Sequence, residues 1–250
     1  MPKFFIKESN VSLNQIVITG DDVNHIKNVL RLKQEDTIIL SDGCGKDYIV
    51  KIDTFESDAI KTTILESKSN NTEPPIEITL FQGIPKSDKM DFIIQKSVEL
   101  GVKKIVPVMT ERTIIRFENH KDKVKKVDRW QKIVLEAAKQ CNRGMIPTVE
   151  YPVSFNECLE LAKEADLGII PYEKEMENGL KNHLKNHLKN SIHKVAVIIG
   201  PEGGFAENEI KNAVNYNIKP VTLGPRILRT ETAGITVLSI LMYELGDVGK

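Results

Sequence analysis

Two segments near the end of the chain combine glycine, proline and charged residues in a pattern that could bind a ligand. The sequence IGPEGGF, residues 199–205, follows an apolar run and precedes a helical pattern. The sequence LGPRILRTETAG, residues 223–234, presents two arginines and a glutamate before the long apolar stretch ITVLSILMYEL. Ligands of open α/β sheets bind beyond the carboxyl ends of the strands, where glycine lets them approach the backbone. Both segments are therefore candidate ligand-binding loops.

The residue types in these loops indicate which ligands they could accept. The first loop is not a P-loop, because no Lys-Ser/Thr pair follows its glycines, and it lacks the G-x-G-x-x-G pattern of dinucleotide sites. Glu202 within it also disfavours a phosphate group. In the second loop, Ile227 and Leu228 follow Gly224, and apolar residues beside glycine suit a flat aromatic ligand such as adenine. By itself, the first loop could also be a plain strand-to-helix turn.

The composition favours a folded intracellular protein. The 250 residues are 40% hydrophobic and 28% charged, as in ordinary globular domains. The formal net charge of zero argues against coating nucleic acid through bulk positive charge but allows local basic patches. The three cysteines have no metal-binding spacing, and no segment resembles a signal peptide or a membrane span. We therefore expect a cytoplasmic protein without a disulfide framework, a metal or a membrane association.

The first seventy residues have the pattern of a small β domain. Short β-rich runs are separated by turn sequences such as SDGCGKD, which is typical of a barrel or a sandwich. One helical pattern, at residues 21–31, interrupts them. The polar segment SKSNNTEPP, residues 67–75, carries two prolines and is typical of a linker. We therefore predict a β domain at residues 1–70.

After this linker, strands alternate with helices, which predicts an α/β domain with a mostly parallel sheet at residues 74–250. A capping box from Ser154 to Glu157 marks the start of one helix, and Gly101 marks the end of another. The predicted strands are IEITLFQGI, KKIVPVM, LGIIPY, KVAVIIG and KPVTLG.

Two helical patterns near the end of the chain allow more than one interpretation. In LKNHLKNHLKN, residues 180–190, His183 and His187 are four residues apart and could bind a metal, but no third ligand is evident nearby. We predict instead a solvated helix whose leucines pack inward. These leucines are Leu180, Leu184 and Leu188. The last helix is apolar on more than one face, so either its own domain or a second subunit must cover it.

Taken together, the motifs resemble a known family. The pair IGPEGGF and LGPRILRTETA, with KSDKMDFIIQKSVELGV, ERT and RWQKIVLEAAKQCNR, is similar to the ribosomal RNA uridine N3-methyltransferases of the RsmE type, within the SPOUT superfamily. The resemblance covers essentially the whole chain. It implies an α/β carboxyl-terminal domain with a deep trefoil knot, an exception to the rule that chains do not thread loops, and an amino-terminal PUA-like β-barrel that binds RNA. It also implies a homodimer that produces 3-methyluridine in small-subunit (16S) ribosomal RNA.

The resemblance further implies a cofactor. S-adenosylmethionine would bind in a bent conformation within the knot, held by both glycine-containing loops. The implied cofactor contacts are Ile199, Gly200, Pro201, Glu202, Gly203, Gly204, Leu223, Gly224, Pro225, Ile227, Leu228, Arg229 and Thr230.

Methylation of uridine N3 sets requirements for the catalytic residues. The nitrogen becomes nucleophilic when its proton leaves and negative charge spreads to O2 and O4, so a cation should face these oxygens and a base should be near. Arg229 is the first choice for the cation, because a guanidinium matches a delocalised anion, although it could instead form a salt bridge with Glu231 or Glu202. Glu231 could take the proton, or it could cap the last helix or orient Arg229. Glu202 is the alternative base.

A further set of residues could contact RNA. Arginines that line an RNA-facing cleft would contact phosphates or orient the base, and a lysine before a helix could meet a phosphate. Each of these residues could also be an ordinary surface charge. The candidates are Lys86, Arg112, Gln140 and Arg143 in the second domain, and Lys27 and Arg31, with Lys3 and Lys7, as a basic patch in the first.

Two other functions fit the same pattern. One is a catalytically silent RNA-associated protein, which would not bind S-adenosylmethionine. The other is a small-molecule enzyme that uses an adenine nucleotide at the same loops, which would add no methyl group to RNA.

Overall fold

The chain folds into two compact units. The structure is a computed structural model, and it describes residues 1–6, 10–115, 117, 119–187 and 191–249, with the side chains of 186 and 187 excepted. Unit 1 comprises residues 1–73 and 138–146, and unit 2 comprises residues 74–137 and 147–250. Within the described residues, no helix combines the length and the apolar character needed to cross a membrane.

Unit 1 is built on one mixed sheet of five strands in the order β1-β3-β4-β5-β2. β1 is parallel to β3, and the other pairs are antiparallel. A short helix α1 (Asp21–Asn24) continues into a π-helical turn (His25–Val29), close to the predicted helix. The strands are β1 (Lys3–Phe5), β2 (Gln15–Thr19), β3 (Thr37–Ser41), β4 (Lys46–Phe55) and β5 (Ala59–Ser69).

The predicted linker is only partly irregular. Residues 67–69 continue β5, because their backbone pairs with the start of β4, where Tyr48 lies opposite Ser67 and Lys46 opposite Ser69. A polar composition predicts a linker, but polar residues can still form backbone hydrogen bonds to a neighbouring strand and so lengthen a sheet.

Residues 138–146 belong to unit 1 although the sequence pattern places them within the α/β domain. The guanidinium of Arg143 forms an ion pair with Glu73, whose Oε1 also accepts the backbone N–H groups of Gly144 and Met145 at 3.1 Å. Lys3 donates to the backbone oxygen of Asn142 at 3.2 Å. These contacts join residues far apart in the sequence, which is why no local pattern indicated them.

Unit 2 contains a parallel sheet in the order β12-β10-β11-β6-β7-β8, with β9 also paired to β7. All of its recorded pairings are parallel, which confirms the predicted α/β class. The strands are β6 (Glu77–Gly83), β7 (Lys104–Met109), β8 (Thr148–Val149), β9 (Val153–Ser154), β10 (Leu167–Pro171), β11 (Lys194–Ile199) and β12 (Lys219–Val221). The helices are α2 (Lys89–Glu99), α3 (His120–Gln140), α4 (Phe155–Ala162), α5 (Leu180–His187), α6 (Glu207–Asn215) and α7 (Thr230–Glu244).

Local signals place several of these helices correctly. The capping box at the start of α4 is confirmed, since Ser154 Oγ accepts from Glu157 N and the Glu157 carboxylate accepts from Ser154 N. Leu180 and Leu184 of α5 are buried as predicted, and Leu188 lies outside the described residues. The sequence predicts either Ser87 or Asp88 as the N-cap of α2; Asp88 occupies that position, but its side chain makes no cap hydrogen bond.

The parallel sheet determines where the chemistry can occur. Because parallel strands end at the same edge, the loops after β6, β7, β10, β11 and β12 all emerge on one side of unit 2. β6 lies directly beside β11, with Gln82 opposite Ile199. The two predicted ligand loops, which follow β11 and β12, therefore share this carboxyl edge.

Candidate functional site

A cavity of about 660 Å³ opens at the carboxyl edge of the sheet in unit 2. Its volume lies within the range of roughly 300–1,000 Å³ that is typical of ligand pockets. The loop at 199–205 and the loop at 222–230 form most of its wall, together with residues 171–173, Met176 and Lys89. Every residue predicted as a cofactor contact lies in this wall. The structure thus brings the two loops together in one site.

A buried polar side chain links the two loops. The hydroxyl of Thr230, at the start of α7, donates to the backbone oxygen of Gly200 at 2.5 Å. It accepts a hydrogen bond at 3.0 Å from the amide nitrogen of Gln82, which also donates to the oxygen of Gly83 at 2.9 Å. Gln82 is fully enclosed and Thr230 is 6% exposed. The first loop, the second loop and β6 are therefore held by one hydrogen-bonded unit.

We expect Thr230→Val to lower the free energy of unfolding by roughly 1–3 kcal/mol, because the isosteric change leaves the partly buried Gly200 oxygen without its donor. The measurement is denaturant unfolding followed by circular dichroism. Thr232→Val is the matched control, since Thr232 lies on the same helix but is exposed. Equal stability of the two variants would show that the hydroxyl does not join the loops.

Glycine makes the cavity wall a surface of bare backbone. The first loop closes through a hydrogen bond from Gly204 N to Pro201 O at 2.9 Å, with Gly204 at a φ of +66°. Gly224 has a φ of +113°, and a Cβ added there would meet nothing within 4 Å. A ligand can therefore approach the backbone of both loops, as the sequence predicted.

Three charged side chains meet beside the cavity, and two of them, Lys89 and Glu202, line it. Glu202 Oε1 lies 2.8 Å from the ammonium of Lys89, and the Glu202 carboxylate also accepts the backbone N–H of Lys86 at 3.2 Å. The same ammonium lies 3.9 Å from Glu231 Oε2. Within the described residues no ion pair joins Arg229 to either glutamate, so the predicted alternative of a salt bridge to Arg229 is not what the structure shows. Lys89, and not Arg229, forms the contacts with Glu202 and Glu231.

Opposing effects act on the ionisation of Glu202. Its partial burial by itself raises the pKa of the carboxyl group, because burial disfavours the charged form. The hydrogen bond from Lys89 and those from backbone N–H groups favour the carboxylate and outweigh burial, so the pKa lies below its ordinary value. Glu202 is therefore a carboxylate near neutral pH, and it binds a proton more weakly than an ordinary glutamate does.

Arg229 lies at the cavity mouth. It immediately precedes α7 with an extended backbone, φ −66° and ψ 155°, and its side chain makes no cap hydrogen bond. Arg226, three residues earlier, is exposed and also lines the cavity. Two guanidinium groups are thus placed where a ligand would enter.

Arg112 supports the first loop. Its Nη1 donates to the oxygen of Gly203 at 2.7 Å, and a Cβ on Gly203 would lie 3.1 Å from the Arg112 Cβ. Beside it, the buried carboxylate of Glu209 accepts the N–H of Glu111 and the N–H of Ala206, both at 2.9 Å. This part of the loop is therefore fixed from two sides. Lys86, also predicted as an RNA contact, is exposed next to the cavity.

The other predicted RNA contacts belong to unit 1. Arg31 and Gln140 are exposed, and Lys27 donates to the Glu56 oxygen at 2.8 Å. Arg143 is only 4% exposed and pairs with Glu73, which gives it a structural role and removes it from the surface available to RNA.

The suggested basic patch of unit 1 is also smaller than its sequence indicates. Lys3 is 6% exposed and pairs with Asp47 at 2.9 Å, so it cannot contribute a surface charge. Lys7 lies outside the described residues.

Sequence reasoning missed several residues of the site and its support, among them Gln82, Gly83, Lys89 and Glu173. Gln82 is a polar residue directly after the run ITLF of the same strand, and such an exception could have signalled a buried polar contact. Glu173 is the second residue after β10, so the strand-end rule applied to this strand would have found it. Lys89 had no distinguishing local signal.

Comparison with known proteins shows the same combination of domains elsewhere. A family model described as an RNA methyltransferase domain matches residues 72–242, and one described as an RNA methyltransferase PUA domain matches residues 18–59. Ribosomal RNA small subunit methyltransferase E of Bacillus subtilis is 32% identical over 98% of this chain and 97% of its own length. The protein of that name from Buchnera aphidicola subsp. Acyrthosiphon pisum is 34% identical over 99% of this chain and 95% of its own.

A solved structure agrees with this relationship. Ribosomal RNA small subunit methyltransferase E of Neisseria gonorrhoeae, crystallised with S-adenosyl methionine, superposes with a TM-score of 0.87. It is 34% identical in sequence, and the match covers 99% of each chain.

Proposed function

The chain belongs to the ribosomal RNA small subunit methyltransferase E family, and on that premise we propose that it methylates N3 of a uridine in 16S ribosomal RNA with S-adenosylmethionine as donor. The observation that carries the proposal is the cavity whose two glycine-containing loops are joined by Thr230. The reaction needs a site that holds the donor, a cation near the uracil oxygens and a group that accepts a proton. Each of these has a candidate in the wall of the cavity or beside it.

The cavity fits S-adenosylmethionine in size and in chemistry. The apolar residues Leu223, Ile227 and Leu228 line it beside bare glycine backbone, which suits an adenine ring whose edge is read by N–H and C=O groups. The carboxylates of Glu173 and Glu202 suit the positive charge and the hydroxyl groups of the donor. Bound there, S-adenosylmethionine supplies an electrophilic methyl carbon attached to a sulfonium sulfur.

The residues of this chain then have defined tasks. Thr230 and Gln82 hold the two loops in a fixed geometry before the ligand arrives, which reduces the cost of ordering them. Arg229 faces the negative charge that develops on O2 and O4 of the uracil, and its guanidinium stays protonated throughout. A carboxylate beside Lys89, either Glu202 or Glu231, accepts the N3 proton.

Unit 1 would bind the RNA. Its match to a PUA domain of RNA methyltransferases and the exposed Arg31 and Gln140 support that role. Because the net charge of the chain is zero, such contacts must be local, and binding should weaken as salt rises. We keep Lys27, Lys86 and Arg112 as further candidate RNA contacts.

Three further proposals concern the knot, the oligomeric state and the location of the protein. We propose that the last segments of the chain thread a trefoil knot, that two copies associate as a homodimer, and that the protein works in the cytoplasm, where ribosomal subunits of bacteria are assembled. The apolar last helix, with Tyr243 68% exposed near its end, is consistent with a second copy. Sedimentation equilibrium at several concentrations tests the dimer.

The proposed function is tested with small ribosomal subunits and naked 16S RNA from cells that lack this protein. Each is incubated with the purified protein and isotope-labelled S-adenosylmethionine, digested to nucleosides and analysed by mass spectrometry. We expect labelled 3-methyluridine. No binding of S-adenosylmethionine in calorimetry would favour the silent RNA-associated protein, and binding of an adenine nucleotide with no methyl group added to RNA would favour the small-molecule enzyme.

We expect Glu173→Ala to weaken cofactor binding about tenfold, because a charge-assisted hydrogen bond contributes roughly 1.5–3 kcal/mol and part of it is replaced by water. Glu173 is exposed to the cavity, and its Oε1 would lie 3.0 Å from a Cβ on Gly204. We assign it to the ribose hydroxyls.

Calorimetry with S-adenosylhomocysteine and with 5′-methylthioadenosine, which lacks the amino acid group, checks this assignment. Both ligands should lose affinity by a similar factor. A loss confined to S-adenosylhomocysteine would place Glu173 at the amino group instead. Glu177→Ala, at an exposed position outside the cavity wall, is the matched control.

A further inference from the structure

Lys89 connects three parts of unit 2 that are remote in sequence. It is the first residue of α2, Glu202 lies in the loop after β11, and Glu231 lies in the first turn of α7. Its ammonium is 2.8 Å from Glu202 and 3.9 Å from Glu231, and it lines the cavity. The side chains of Lys89 and Glu202 are 32% and 30% exposed, so water only partly screens this contact.

The two carboxylates differ in what already binds them. The oxygens of Glu202 accept hydrogen bonds from the Lys89 ammonium and the backbone N–H of Lys86. Glu231 Oε2 is enclosed and accepts no hydrogen bond from the described residues, although its side chain as a whole is 18% exposed. An enclosed acceptor without a donor is an exception in folded proteins, and it leaves Glu231 with acceptor capacity that Glu202 has already used.

Positive charges face Glu231 from two elements. Lys89 faces it from α2, and the positive end of the α7 dipole lies at its own first turn. Arg229 precedes it by two residues on the same element, and Glu202 is the negative group nearest to the shared ammonium. A compact ammonium can attract both carboxylates at once, as a point charge without a fixed plane of donors.

We propose that Lys89 is a positioning residue that holds Glu202 and Glu231 together as carboxylates, with Glu202 fixing the ammonium and Glu231 left to accept the proton from uridine N3. This assignment rests on the proposed function. The N3–H bond breaks, its electron pair stays on the ring and forms the N–CH₃ bond, and the proton goes to the Glu231 carboxylate. The S–CH₃ bond breaks with its electron pair left on sulfur, so the leaving group is a neutral thioether.

The test compares Lys89→Met with Lys89→Arg and with Lys96→Met. Lys96 is on the same helix and pairs with Glu99 on the surface, so its replacement is a matched loss of a lysine ion pair away from the cavity. We expect Lys89→Met to slow single-turnover methyl transfer at neutral pH by about 10- to 100-fold, a part of what general base catalysis contributes. Lys89→Arg should restore part of the rate.

A second readout does not depend on activity. In the cofactor-free protein, carbon NMR of the side-chain carboxyl groups should show Glu202 titrating at higher pH in Lys89→Met than in the wild type, because a hydrogen bond that lowers its pKa is gone. A slower rate with an unchanged Glu202 titration would reduce Lys89 to a structural role and overturn the proposal. A methyl-transfer rate in Lys89→Met equal to that in Lys96→Met would also overturn the proposal.

The choice of Glu231 is tested by Glu231→Gln against Glu202→Gln. We expect Glu231→Gln to be slower by about 10²-fold or more, as for loss of a general base, and Glu202→Gln to be slower by less than that. The reverse order would assign the proton to Glu202. If the wild-type protein itself methylates no ribosomal RNA, the proposed function fails, whereas the NMR titration still decides whether Lys89 controls Glu202.

Discussion

Gly83→Ala is expected to abolish cofactor binding at ordinary concentrations and to destabilise unit 2. A Cβ on Gly83 would lie 2.6 Å from both the backbone N and the Cδ of Pro201, and 2.9 Å from the carbonyl carbon of Gly200. None of these atoms is the end of a flexible side chain. The loop cannot retreat, because Gln82 is paired with Ile199 in the sheet and bonded to Thr230 on the other side. The alanine therefore has to displace the loop that lines the cavity.

Two measurements check this expectation. Calorimetry with S-adenosylmethionine should show at least a 100-fold weaker affinity, which corresponds to about 2.8 kcal/mol. Thermal unfolding should show a loss of roughly 1–3 kcal/mol, as for other overpacked positions. Gly179→Ala is the matched control, because its backbone has an ordinary φ and an added Cβ would meet nothing within 4 Å. Wild-type affinity in Gly83→Ala would show that the loop position does not matter for binding.

Arg229→Ala is expected to slow the chemical step by about 10²–10³-fold, the usual cost of losing one positioned group that stabilises a developing anion. The fold should be unaffected, since the side chain of Arg229 is exposed and makes no cap hydrogen bond to α7. Cofactor affinity should change little, because backbone groups of the loops supply most of the contact. The measurement is single-turnover methyl transfer at saturating cofactor, with affinity determined separately by calorimetry.

Arg226→Ala is the matched control for Arg229. It removes the same charge from the same loop and the same cavity wall, three residues earlier. An equal slowing in both variants would mean that net positive charge at the cavity mouth attracts RNA, and that no guanidinium is positioned on the uracil. Arg229→Lys keeps the charge but not the planar set of donors, so it should recover only part of the rate.

The assignment of roles in the site follows from which groups are already engaged. The sequence indicated Arg112 as a candidate RNA contact and gave no signal for Lys89. Arg112 is bonded to the backbone of Gly203 and so fixes the shape of the first loop, whereas Lys89 is bonded to side chains that can change protonation. Only the contacts of Lys89 can therefore affect proton transfer directly.

Much of the fold could be predicted from the sequence, because local interactions determine it. The period of apolar residues and the capping box at Ser154 identified most strands and helices of unit 2, and their alternation indicated a parallel sheet. From that it followed that the loops at 199–205 and 223–230 emerge at one edge. The glycines there indicated that the edge binds a ligand close to the backbone.

The rest was decided only by the tertiary structure. The order of strands in the sheet brings β6 beside β11, and with it Gln82 to Thr230 across 148 positions and Lys89 to Glu202 across 113. The same kind of long-range contact assigns residues 138–146 to unit 1 and buries Arg143. A local pattern shows which residues face a core or end a strand. It does not show which charged residue from a distant part of the sequence will lie beside a given side chain, because that depends on the order of the strands and on packing across the whole sheet.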